Sequence, residues 1–92
     1  MTKLNENDIQ KKLKGLRSWD LVDGQIERIF TFDTFLDGID FVNKISKIAE
    51  EQNHHPDLDI RYNKIKCRVM SHDVSSITER DFNLAKAFNS VY

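Results

Sequence analysis

Twice in this chain a run of alternating apolar and polar residues doubles back through a short polar turn, and each resulting pair has a single apolar face. In the first, Trp19 and Leu21 lie on one side of a short strand, Asp23-Gly24 supplies a two-residue turn, and Ile26, Arg28, Phe30 and Phe32 alternate beyond it. In the second, Leu58, Ile60 and Tyr62 alternate with Asp59 and Arg61. Asn63-Lys64 then turns the chain into Ile65, Cys67 and Val69, which alternate with Lys66, Arg68 and Met70. A one-faced hairpin has to be covered, and the remaining sequence is helical in pattern.

Asn5 is an N-cap with Leu4 before it and Ile9 placed as its staple partner, and Ile9, Leu13 and Leu16 continue the stripe up to Gly15, so a helix is expected over residues 6 to 14. Thr34 with Asp37 opens a long helix reaching about Glu51, which cannot easily pass Pro56. Phe35, Ile39, Val42, Ile45 and Ala49 form its stripe, and Phe41 and Ile48 widen it beyond one covered face, toward a second subunit. Thr78 and Asp81 open a closing helix that buries Leu84, Ala85, Ala87, Phe88 and Val91. The order α-β-β-α-β-β-α predicts an α+β fold, a four-stranded antiparallel sheet with three helices on one face. No linker composition interrupts residues 1–92, which are expected to form a single domain.

A chain of 92 residues has a small core, and its single cysteine cannot form an internal disulfide, so association into a homodimer or homotetramer is expected. One Trp, two Tyr and six Phe set the chain apart from disordered sequences of similar charge. With 14 basic and 15 acidic residues interspersed, there is no electrostatic footprint for nucleic acid or an anionic membrane. The segment Met1-Thr2-Lys3-Leu4-Asn5-Glu6 lacks the apolar run of a signal peptide, and a cytoplasmic setting is expected. Cys67, inside a strand, reads as a small buried hydrophobe.

All three histidines fall between positions 54 and 72, two of them adjacent in Glu50-Glu51-Gln52-Asn53-His54-His55-Pro56. His72 stands at the far end of the fourth strand, and the second hairpin would bring it back beside His54 and His55. Imidazole is both a usable acid and a usable base near neutral pH. Loop histidines before a proline are also commonly plain surface residues. A zinc site is disfavoured, since neighbouring residues of an extended chain point to opposite sides and no ligand spacing is present; no metal and no cofactor are expected.

The run Glu50-xxx-His54-His55-Pro56, followed by Tyr62, His72 and Asp81 at their spacings, resembles the signature of the pterin-4a-carbinolamine dehydratases. The similarity continues through Tyr62-Asn63-Lys64, Ser71-His72 and Thr78-Glu79-Arg80-Asp81-Phe82-Asn83-Leu84-Ala85 and spans the chain. The resemblance implies that the substrate is a 4a-hydroxytetrahydropterin, dehydrated to a quinonoid dihydropterin by histidine acid–base chemistry. His54, His55 and His72 would be catalytic, with His54 and His72 handling protons and His55 mainly binding. Glu50, Pro56, Ser71, Asp73 and Val74 would join the three histidines in holding the pterin, Glu50 by supporting the histidine pair. Asp81 belongs to the pattern too, although capping is a sufficient reason for it. The chain departs from many relatives in carrying Ser75-Ser76 where a glycine pair is common; a left-handed backbone there would strain a serine. The alternative is a non-catalytic dimerisation or assembly module of the same fold.

Overall fold

The computed structural model describes residues 2–92; Met1, counted in the N-terminal segment above, lies outside them. The elements are α1 (Glu6–Lys14), β1 (Asp20–Val22), β2 (Gln25–Thr31), α2 (Phe35–Gln52), β3 (Asp57–Arg61), β4 (Lys64–Val69), a 3-10 turn (His72–Val74) and α3 (Glu79–Ser90). The expected α+β order is present, and the sheet runs β1-β2-β4-β3 with every neighbour antiparallel. The two hairpins join at the centre, where Ile26 to Thr31 pair with Val69 to Lys64. Their inward residues, Ile26 and Phe30 of β2 with Ile65, Cys67 and Val69 of β4, meet Phe41, Ile45 and Ala49 of α2 and Phe82, Ala85 and Phe88 of α3 in one core.

Local signals account for the boundaries. The Asn5 side chain accepts the Asp8 N–H at 2.8 Å, and that of Thr34 accepts the Asp37 N–H at 3.1 Å. Asp23 and Gly24 both take positive φ, 51° and 77°, as a tight hairpin turn requires. The second turn falls on Tyr62-Asn63, one residue earlier than expected. Tyr62 takes φ 48°, and the Asn63 side chain donates to the Phe32 carbonyl at 2.7 Å, which fixes it before β4 begins. Tyr62 is thus exposed at the end of the hairpin remote from the histidines, neither core nor a platform beside them.

The buried face of α2 also differs from expectation. Gly38, Phe41, Ile45 and Ala49 point inward, whereas Phe35 and Leu36 are exposed and Ile39 and Val42 half-buried. Phe41 is therefore core, packed on Phe30, Phe32 and Tyr92 at ring separations of 4.6, 5.2 and 5.8 Å, and Ile48 is packed against the core. Val42, half-buried, still packs against the core, so the apolar residues of α2 left outside it are Phe35, Leu36 and Ile39; Leu58 and Ile60 of the edge strand β3 are exposed as well. Gly38 explains the choice: a Cβ there would already touch Ile65 and Phe32 at 3.4 Å, so this side of the helix lies hard against the sheet.

A polar hub centred on the half-buried Asn89 lies at the edge of the core. Asn89 Oδ1 accepts from Trp19 Nε1 and from Arg28 Nη1, both at 2.8 Å, while Asn89 Nδ2 donates to the Arg17 carbonyl at 3.1 Å. The Arg28 guanidinium lies over the rings of Phe30 and Tyr92 at 4.4 and 4.8 Å. Burial pulls its pKa down from the ordinary value, with Tyr92 acting against that fall. Asn89→Leu leaves the Trp19 Nε1 donor unpaired and Arg28 Nη1 with only its 3.4 Å contact to the Arg17 carbonyl, and is expected to cost about 1–3 kcal/mol, read from urea denaturation. A change below about 0.5 kcal/mol would show that the hub does not hold α3 to the sheet.

Candidate active site

The end of α2 sets the geometry. Asn53 adopts the left-handed conformation (φ 50°, ψ 43°), which Asn tolerates, and the N–H groups of Asn53 and His54 return to the Glu50 and Ala49 carbonyls at 3.1 and 3.0 Å. From this closed end the chain runs extended through Pro56 into β3, so consecutive side chains part. His54 turns inward and is 8% exposed; His55 turns outward.

His54 Nε2 lies 2.5 Å from Asp81 Oδ1. Asp81 is fully buried at the start of α3, and its other oxygen accepts the Thr78 N–H at 2.9 Å and the Ser71 hydroxyl at 3.0 Å. Ser71 and Thr78 join their hydroxyls at 2.8 Å, and Thr78 Oγ1 accepts the Arg80 N–H at 3.2 Å. With the Ser71 proton spent on Asp81, Thr78 donates to Ser71, and every hydroxyl is satisfied. Asp81 acts as acceptor toward Ser71 and Thr78, and the consistent assignment gives it the Nε2 hydrogen of His54, leaving Nδ1 as the ring's open acceptor. Asp81 does complete a capping box, as its spacing implied. The partnership with His54, 27 residues away, is what sequence reasoning missed; the one available signal was a capping acid within the family signature.

The predicted residues fall into two groups around the His54-His55 link. On the α2 side a shallow groove of about 300 Å³ is lined by Ser46, Ala49, Glu50, His55, Pro56 and Leu58. There Glu50 pairs with His55 alone and not with both histidines. On the α3 side stand His54, Ser71 and the 3-10 turn that begins at His72. His72 lies beyond β4, which ends at Val69, and is exposed. Ser71 is fully buried with its hydroxyl committed to Asp81, so it supports this group rather than offering its hydroxyl to a ligand. Asp73 is exposed and bound by Arg80 at 2.5 Å, a contact that holds its carboxyl below the usual range, and Val74 is half-buried. Cys67 is buried and its thiol is pushed up to about 12 by burial, which removes it from the chemistry.

Among the described residues no three His, Cys, Asp or Glu side chains gather as a metal ion would require, and no helix is long and apolar enough to cross a membrane.

A family model described as pterin 4 alpha carbinolamine dehydratase matches residues 2–91. A candidate pterin-4-alpha-carbinolamine dehydratase of Picosynechococcus sp. is 41% identical over 90 residues, 98% of each chain. One from Sulfolobus acidocaldarius is 37% identical over 89 residues, 97% of this chain and 98% of that protein. The crystal structure of a transcriptional coactivator/pterin dehydratase from Brucella melitensis superposes with a TM-score of 0.93 at 29% identity, covering 98% of both chains.

Ser75 closes the 3-10 turn in the left-handed region (φ 49°, ψ 42°), where the sequence placed a serine in a position common for glycine. Ser75→Gly relieves that strain and is expected to stabilise the protein by about 0.5–1 kcal/mol in urea denaturation, the relief exceeding glycine's entropy cost. A lower unfolding midpoint would show that Ser75 holds this geometry without strain.

Proposed function

This chain belongs to the pterin 4 alpha carbinolamine dehydratase family, and from that premise we propose that residues 1–92 act as one catalytic domain dehydrating a 4a-hydroxytetrahydropterin to the quinonoid dihydropterin. The observation that carries the reading is the buried His54–Asp81 pair beside the turn that bears His72. The elimination takes a proton from the ring nitrogen and gives one to the departing hydroxyl. With Nε2 held by Asp81, His54 presents Nδ1 as an acceptor and suits the first task. His72, whose side chain has no protein hydrogen-bond partner among the described residues, is free for the second. His55, steadied by Glu50, binds the pterin together with Pro56. The nitrogen lone pair forms the carbon–nitrogen double bond as the carbon–oxygen bond breaks, the protonated hydroxyl leaves as water, and the ring-nitrogen proton passes to His54.

His54→Ala and His72→Ala are each expected to slow dehydration at least about tenfold in folded protein, whereas His55→Ala acts mainly on KM. Stopped-flow dehydration of enzymatically generated 4a-hydroxytetrahydropterin checks this, and wild-type rates in the two folded variants would overturn the assignment.

The same reading includes association into a homodimer or homotetramer, for which the uncovered apolar residues of α2 and β3 are the supporting observation. Leu36, 70% exposed, can be changed without touching the core. Leu36→Glu is expected to lower the assembled mass in light scattering coupled to size exclusion; a wild-type chain monomeric at micromolar concentration would refute association, and an unchanged assembly would refute this surface.

A further inference from the structure

We infer that Arg80 is a positioning residue for His72, an inference that rests on the dehydratase reading. His72 opens a loop running from Ser71 to Ser76. The base of the loop is clipped by paired backbone hydrogen bonds, Ser71 N–H to the Ser76 carbonyl at 2.8 Å and Ser76 N–H to the Ser71 carbonyl at 3.3 Å. The Ser71 hydroxyl adds its bonds to Thr78 and Asp81. The loop's tip has much less support. Val74 and Ser75 donate to the Ser71 and His72 carbonyls at 3.2 Å, bonds internal to the loop, and Ser75 closes it in a strained left-handed conformation. Among the described residues, the one side-chain hydrogen bond from positions 72–75 to the rest of the protein is Asp73 Oδ1 to Arg80 Nη2 at 2.5 Å.

Arg80 is well placed for that task. It stands in the first turn of α3, is partly buried, and its Nε is buried without a hydrogen-bond partner, so packing rather than solvent sets its direction. The next residue, Asp81, holds His54. Consecutive residues on one rigid turn therefore fix both proton-handling histidines, Asp81 by direct contact and Arg80 through the backbone of the His72 turn. A loop tip whose one side-chain tie to the rest of the protein is cut gains freedom even though Val74 stays half-buried, and drift of a proton donor is costly in rate while leaving global stability nearly unchanged.

The test compares Arg80→Gln, Arg80→Lys, Asp73→Asn and the double variant Asp73→Asn/Arg80→Gln in stopped-flow dehydration, with amide hydrogen exchange followed at residues 71–76. Arg80→Gln and Asp73→Asn are each expected to lower kcat roughly five- to tenfold with KM nearly unchanged. The double variant should be no worse than either, and Arg80→Lys should recover most of the loss. Amide exchange should quicken at 72–75 and stay unchanged at Ser71 and Ser76. Wild-type kcat in folded Arg80→Gln overturns the inference, as does a loss carried by KM alone, which would make Asp73 a substrate contact. If the wild-type chain shows no turnover the dehydratase reading fails by itself; exchange then decides, and unchanged protection at 72–75 in Arg80→Gln overturns the inference.

Discussion

The carboxylate of Asp81 is the point at which the chain's separate parts are joined. It is fully buried, and a carboxylate in that position is tolerable only where donors replace the water it has lost. The donors come from the cap of its own helix, the end of the sheet and the exit from α2: the Thr78 N–H, the Ser71 hydroxyl and the His54 ring. Removing any one leaves a buried charge short of a partner, so three elements far apart in sequence are obliged to meet here. A capping acid has thereby become a tertiary link, and the ring orientation of His54 follows from it.

The other end of α3 is secured by different means. Asn89 gathers Trp19, Arg28 and the Arg17 carbonyl, and Tyr92 closes over Phe30 and Arg28 with its hydroxyl donating to the Thr31 carbonyl at 2.7 Å. The helix is thus pinned by a polar cluster at each end with apolar packing between, through Phe82, Ala85 and Phe88. Rigid placement of its first turn, where Arg80 and Asp81 stand, depends on both anchors.

The long helix shows how apolar periodicity alone leaves a choice open. Its hydrophobic residues occupy more than half the circumference, so 3.6-residue spacing fits two inward faces, one through Phe35, Ile39 and Val42 and another through Gly38, Phe41 and Ala49, with Ile45 common to both. Close approach at Gly38 and the aromatic contacts of Phe41 select the second. The apolar residues left outside, Phe35 and Leu36 above all, and not Phe41, are therefore the surface to probe for association.

Element order, helix starts, the first hairpin turn and the alternation that faces β2 and β4 inward were all legible in the sequence, because caps, tight turns and two-residue periodicity act over a few neighbouring residues. The histidine cluster and the family signature were equally local in character, and they picked out Glu50, His54, His55, Pro56 and His72. The inward face of α2, the split of His54 and His55 to opposite sides, the restriction of Glu50 to His55, the burial of Ser71 and the second task of Asp81 belonged to the tertiary structure. The three polar contacts among these join side chains 5, 10 and 27 positions apart. That outcome is set by packing space and by the need to satisfy buried polar groups, neither of which has a short-range sequence pattern.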